Sequence, residues 1–285
     1  FIASKGVSDI EYFDEGGQGK IYFGTHPEYG KVAVKLGKGT LYFNAFENEC
    51  ERYRELGGEA EEMGLNLPKI YEISDSNEYI IMEKIDDGKN LKDIFDSGVL
   101  SLRERLVLVH QGLEQAQILY DAFDLGHNDL KLENVMQRPD HADYETDKCH
   151  LIDLGSAMTD DEVSSVVRQF GSEYLGSKRY MPPDCERVIE ICEEAGEPII
   201  PYLQGYSAAV MVVDAALGED TYHSGDQIDE VSLREAIDEL SVDHSNLASF
   251  IEEFFENVGA NQGYTPDDVI LELDVNISEF FDVKP

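Results

Sequence analysis

The chain has 285 residues, 42% of them apolar, with 15 Tyr and 13 Phe. That is enough to bury a sizeable core, and it argues against disorder. The net charge of −38, from 60 acidic and 22 basic residues, excludes nucleic acid and an anionic membrane as general partners.

The charge is unevenly spread. Residues 1–85 carry 16 acids and 9 bases, a net of −7, and residues 86–285 carry 44 acids and 13 bases, a net of −31. Two readings stand: a solvated, solubilising surface, or a second half that attracts a basic partner. The longest apolar run, Tyr206–Leu217, contains Asp214 and is too short to span a bilayer. No signal peptide is visible, and the first residue, Phe1, suggests a chain trimmed from a longer protein. Cys50, Cys149, Cys185 and Cys192 lack paired metal-site spacing and read as reduced thiols. The expected location is the cytoplasm, with delivery into a host cell as an effector as the alternative.

In chain order, Ile10–Phe13 reads as a strand leading into the turn Gly16-Gly17-Gln18-Gly19 and a second strand through Ile21. Clustered glycines let backbone amides approach a phosphate without a Cβ in the way. Lys31–Lys35 alternates like a strand and ends on a lysine. Asn44–Glu47 reads as a capping box opening a helix through Leu56, with Phe46, Cys50 and Tyr53 on its inner face. Glu49 shares that face. A glutamate among apolar residues wants a partner, and Lys35 is the obvious one.

Leu67–Ile73 and Tyr79–Glu83 read as two further strands, and Asp86-Asp87-Gly88 loosens the chain after them. Ser101–Glu104 is a capping box for a long helix reaching about Phe123, which Gly126 is expected to end. Then come His127-Asn128-Asp129-Leu130-Lys131-Leu132-Glu133-Asn134, a polar hairpin tip over 139–147, and Asp153-Leu154-Gly155. Residues 156–175 read as a polar, Ser-rich segment and 185–203 as a short helix with a Pro198–Pro201 loop. A buried helix is expected from Gln204, and 230–282 reads as two or three amphipathic helices.

Taken together, these stretches resemble the eukaryotic-like Ser/Thr protein kinases over about residues 10–270. His127–Asn134 is similar to the catalytic loop H-R-D-L-x-x-x-N, with Asn128 for Arg. Gly16 and Gly19 match the later glycines of the glycine-rich loop, with Asp14 where the first is expected and Ile21 for Val. Lys31–Lys35 is similar to V-A-I-K, Asp153–Gly155 to D-F-G, and Gly176–Asp184 to the G-T-x-x-Y-x-A-P-E end of an activation segment.

The resemblance implies an α+β, bilobal protein-kinase-like fold. A small β-rich N-lobe with one main helix would span 1–85, and a larger, mainly helical C-lobe 86–285. It implies ATP and Mg²⁺ as cofactors, with Mn²⁺ as an alternative ion. Gly16, Gly17, Gly19, Ile21, Ala33, Lys35, Met82, Glu83 and Ile85 would bind ATP. Lys35 would be held by Glu49, Asn134 and Asp153 would bind metal, Asp129 would orient the substrate hydroxyl, and Lys131 would stabilise transferring charge. Ser177 with Lys131 is typical of the Ser/Thr branch.

Asn128 removes an arginine that in many kinases reads a phosphate on the activation segment, so activity is expected not to need phosphorylation of Thr159, Ser164, Ser165 or Ser172. Asp184 lacks the late arginine that the family pairs with its glutamate, none being found near Tyr264-Thr265-Pro266. Gln204 stands where the family has an aspartate bracing the loop, and an amide can keep that bond. The expected partner is a protein substrate, with basic residues around the target. The alternatives are a small-molecule phosphotransferase of the aminoglycoside or choline type, against which the Gly176–Asp184 segment argues, and a pseudokinase scaffold, against which the full set of catalytic side chains argues.

Overall fold

The computed structural model describes residues 1–16, 19–38, 45–85, 88–137, 149–182, 184–218, 221–224, 227–228 and 230–258. The N-terminal part is a five-stranded antiparallel sheet: β1 (Ser8–Glu15), β2 (Gly19–His26), β3 (Gly30–Gly37), β4 (Ile70–Ile73) and β5 (Tyr79–Glu83), in the order β1-β2-β3-β5-β4. Alternation along β3 sorts its side chains. Val32 and Val34 pack with Ile2, Val7, Tyr79 and Ile81 on one face, while Ala33 and Lys35 take the other. Lys35 stands opposite Ile21 and Ile80, and Ala33 opposite Met82.

Helix α1 (Ala45–Leu56) covers the sheet, burying Phe46, Glu49, Cys50, Arg52, Tyr53 and Leu56. Its expected cap, Asn44, lies outside the described residues. The short α2 (Glu59–Glu62) leads to β4, which begins at Ile70, three residues later than expected.

After β5, β6 (Lys89–Asn90) opens a small sheet of order β6-β7-β8 with β7 (Val135–Gln137) and β8 (His150–Leu151). The rest is mainly helical: α3 (Leu91–Asp96), α4 (Leu102–Phe123), α5 (Asp160–Phe170), α6 (Cys185–Ala195), α7 (Ile200–Leu217), α8 (Glu230–Ser241) and α9 (Ser245–Val258), with a two-strand ribbon of β9 (His223–Ser224) and β10 (Gln227–Ile228). This is the expected α+β class. Helices α4 and α7 form the centre of the large core, where Leu106, Val109, Leu113 and Leu119 meet Ala209, Val210 and Val213.

The box at the start of α4 is present in both directions, Ser101 N–H to Glu104 Oε2 at 2.8 Å and Glu104 N–H to Ser101 Oγ at 3.3 Å. The helix ends at Phe123 as expected, but the residue that closes it differs. Asp124 closes the helix in the left-handed conformation, φ 57°, and Gly126 instead exchanges backbone hydrogen bonds with Met158. Two other stretches also differ. Part of the Ser-rich segment folds as α5, capped by a Thr159–Glu162 box, with Val163 buried beneath it. Pro201 lies in the first turn of α7 and not in a loop, a place where its missing N–H costs nothing. Residues 139–147 and 264–266 and everything after 258 fall outside the described residues. Among the described residues no helix is long and apolar enough to cross a membrane.

Candidate active site

A cleft of about 1100 Å³ separates the sheet from the helical part. Its lining includes Gly16, Gly19, Ile21, Ala33, Lys35 and Glu49 from the first part, Met82, Glu83 and Ile85 from the connection, and Asp129, Lys131, Asn134 and Asp153 from the second. Every described residue expected to be catalytic, ATP-binding or metal-binding therefore borders one space. Gly17 lies outside the described residues. A shallower groove of about 680 Å³, bordered by Asp160, Asp161, Ser164, Ser165, Glu193 and Glu197, includes none of these catalytic, ATP-binding or metal-binding candidates.

The upper wall is built by β2, β3 and α1. At Gly19 a Cβ would sit 2.4 Å from the Leu36 carbonyl oxygen, so only glycine lets β2 run this close to β3. Asp14, which stands where the first glycine is expected, accepts a hydrogen bond from Glu15 N–H at 2.7 Å, and β1 continues to Glu15. Lys35 Nζ lies 2.5 Å from Glu49 Oε2 and 3.1 Å from Asp153 Oδ1. Burial disfavours the Lys35 ammonium, but Asp153 and Glu49 outweigh it and hold its pKa above the ordinary value. Burial pushes the Glu49 carboxyl up to about 7 despite Lys35. Burial also works against Asp153, yet Lys35 keeps that carboxyl below its ordinary value.

The lower wall is the loop His127–Asn134. Burial lowers the His127 pKa, and its Nε2–H donates to the Ile152 carbonyl at 3.0 Å, tying the loop to the stretch after β8 that leads to Asp153. Asn128 has φ 56°, a conformation asparagine adopts readily, and its amide donates to the Gly126 and Ser156 carbonyls, both at 3.1 Å. The residue that replaces the arginine is thus a local brace.

Asp129 is held on both oxygens. Oδ2 accepts from Lys131 Nζ at 2.8 Å and Asn134 Nδ2 at 3.1 Å, and Oδ1 accepts from Ser177 N–H at 2.8 Å. Lys131 Nζ also reaches Ser177 Oγ at 2.8 Å. Asn134 Nδ2 donates a second bond to the Asp129 carbonyl at 2.7 Å, which turns its amide oxygen the other way. At Gly176 a Cβ would come within 2.1 Å of the Asn128 carbonyl oxygen, so the segment after α5 presses directly on the loop. Gln204 Oε1 accepts His127 N–H at 2.9 Å, and the bracing bond is therefore made by an amide.

Sequence reasoning missed three groups. Arg179 Nη2 meets Asp214 Oδ1 at 2.5 Å, and the hydroxyls of Tyr180 and Tyr222 donate to the same carboxylate at 2.7 and 2.6 Å. This network ties the end of the segment to α7, a task for which Asp184 has no late arginine. The signal was Asp214 itself, an acid in an apolar run that needs partners when buried. Asn48 and Arg52 on α1 were also missed, as was Lys38, whose Nζ contacts Glu15 Oε1 at 2.5 Å and the Gly16 carbonyl at 3.0 Å.

Among the described residues no three or more His, Cys, Asp or Glu converge as a metal cluster. The Asp153 carboxylate and the Asn134 amide offer oxygen donors, a set that fits a hard divalent ion.

The fold and this cleft support a kinase-like protein. Over 106 residues the chain is 31% identical to KEOPS complex subunit Bud32 of Pyrococcus abyssi (strain GE5 / Orsay), a kinase-like protein. The match covers 37% of this chain and 43% of that protein. No family model matches the chain.

Proposed function

We propose that the chain is an ATP- and Mg²⁺-dependent protein kinase that phosphorylates serine or threonine, active without prior modification. The arrangement around Asp129 carries this reading. Its carboxylate is fixed by Lys131, Asn134 and the Ser177 N–H, and it faces the same cleft as Lys35 and Asp153.

Asp153 and Asn134 would hold a divalent ion, which would supply positive charge to offset that of the phosphates. Lys35, anchored by Glu49, supplies a fixed cation for the phosphates. Asp129 accepts the hydrogen bond of the substrate hydroxyl and aims its oxygen at the γ-phosphorus. The new O–P bond forms as the bond to the leaving ADP oxygen breaks, and the hydroxyl proton passes to Asp129. Lys131 lies beside that carboxylate and stabilises negative charge on the group in transit. The rate advantage is positioning and electrostatics on a preformed frame.

The net of −31 in residues 86–285 favours substrates with Lys or Arg near the target, which a peptide library at low salt would read as enrichment of those residues. The test of the reaction class is incubation of the protein with γ-labelled ATP, Mg²⁺ and a cell lysate. The reading expects label on protein serine or threonine. Label confined to small molecules would replace it with a small-molecule phosphotransferase.

A further inference from the structure

Glu49 is held in place by its neighbours on α1. Arg52 lies three residues further along the same helix and is 6% exposed. Its guanidinium is engaged on every edge. Nε donates to the Ala157 carbonyl at 3.0 Å, Nη1 to Glu55 at 2.6 Å, and Nη2 to both oxygens of Glu162 at 2.6 Å. One residue before Glu49, Asn48 Nδ2 donates to the Gly155 and Ala157 carbonyls at 3.0 and 2.9 Å. The side chains flanking Glu49 thus grip the backbone that follows Asp153.

Glu162 belongs to the first turn of α5, where it also closes the capping box by accepting Thr159 N–H at 2.8 Å. Asp160, in the same turn, accepts Ile199 N–H and Ile200 N–H at 2.8 and 2.7 Å, at the start of the helix that carries Gln204. One turn of α5 therefore connects Glu49 on α1 to the brace of His127 on α7. Burial disfavours both Arg52 and Glu162 as ions, yet their contact holds the Arg52 pKa above and the Glu162 pKa below its ordinary value.

We propose that Arg52 is a positioning residue that locks the Lys35–Glu49 pair through the carboxylate of Glu162. A side chain encoded in the sequence thereby does what an added phosphate would do elsewhere, joining α1 to the segment after Asp153 by a paired, charge-assisted contact. The inference rests on the protein-kinase reading above and deepens it by naming how the site is held active.

The experiment is a double-mutant cycle of Arg52→Ala and Glu162→Gln, read as kcat and as KM for ATP, with melting temperatures to show folding. Glutamine can keep an acceptor for Thr159 N–H while losing the charge and one of the two oxygens that Arg52 uses, so Glu162→Gln weakens the latch and leaves the capping box. Each single variant should lose about tenfold or more in kcat with a smaller change in KM, as misplacement of a catalytic frame does. The double variant should be little worse than Arg52→Ala. Singles within about twofold of wild type, or effects that simply multiply, overturn the proposal. If Arg52→Ala does not fold, Glu162→Gln alone decides by the same kcat criterion. Should the wild-type protein neither bind nor use Mg-ATP, the kinase reading fails on its own. The latch is then judged by amide exchange along α1, which should quicken in Glu162→Gln; unchanged exchange overturns it.

Discussion

Arg179 and Asp214 form an ion pair inside the helical part, 2.5 Å from Nη2 to Oδ1, with the Asp214 side chain wholly buried. Burial pushes the Asp214 carboxyl above its ordinary value against the pull of Arg179, and two tyrosine hydroxyls complete its shell. Removing one partner of such a pair leaves the other charge stranded. Asp214→Ala is therefore expected to cost about 3–5 kcal/mol, visible as a lower midpoint in urea unfolding. A loss below about 1 kcal/mol would show that the network does not brace the segment.

Gly176 carries a second prediction. A methyl group there would meet the Asn128 carbonyl at 2.1 Å, against backbone that cannot step aside. Gly176→Ala should destabilise by about 1–3 kcal/mol and lower kcat more than it changes nucleotide affinity, because the displaced residues are the loop that holds Asp129. Unfolding curves and steady-state kinetics on the same preparation check both parts.

The third prediction concerns pH. Glu49 holds Lys35 through charge only while it is ionised, and burial pushes its carboxyl up to about 7. Nucleotide affinity should decline as pH falls from about 8 to about 6, and Glu49→Gln should flatten that profile. The contribution to folding stability has the opposite sign. With a folded pKa of about 7 above its ordinary 4.5, Glu49 keeps in the folded state a proton that the unfolded chain has released. Its contribution to stability therefore falls as pH rises through that interval. Opposed trends in affinity and stability identify Glu49; an affinity that is flat with pH in the wild type contradicts the assignment.

What could be read from the sequence followed the range of the interactions. Lys35 and Glu49 were paired in advance because an acid on an apolar helix face and a lysine ending a strand each need a partner. The motif around Asp129 fixed its own loop. Helix α5 was missed although Thr159 and Glu162 have capping-box spacing and Val163, Val166 and Val167 supply an apolar side; its two serines and two leading aspartates masked the pattern. The Arg52–Glu162 contact joins residues 110 positions apart. In an acidic chain, such a pair looks like two solvated charges until the fold brings them together. The end of α4 falls at Phe123 as expected, but Asp124 and not Gly126 closes it, because Asp124 takes the left-handed conformation that glycine usually adopts.

The most direct measurement compares wild-type protein with Asp129→Asn in the transfer of label from γ-labelled ATP to protein serine and threonine, with nucleotide binding followed in parallel. The substitution keeps the shape of the side chain but removes the carboxylate that Lys131, Asn134 and Ser177 hold in place. Nucleotide binding should persist while transfer falls by about 10²–10⁴-fold. Equal transfer by the two proteins would contradict the role of Asp129, and no transfer by the wild type would contradict the function.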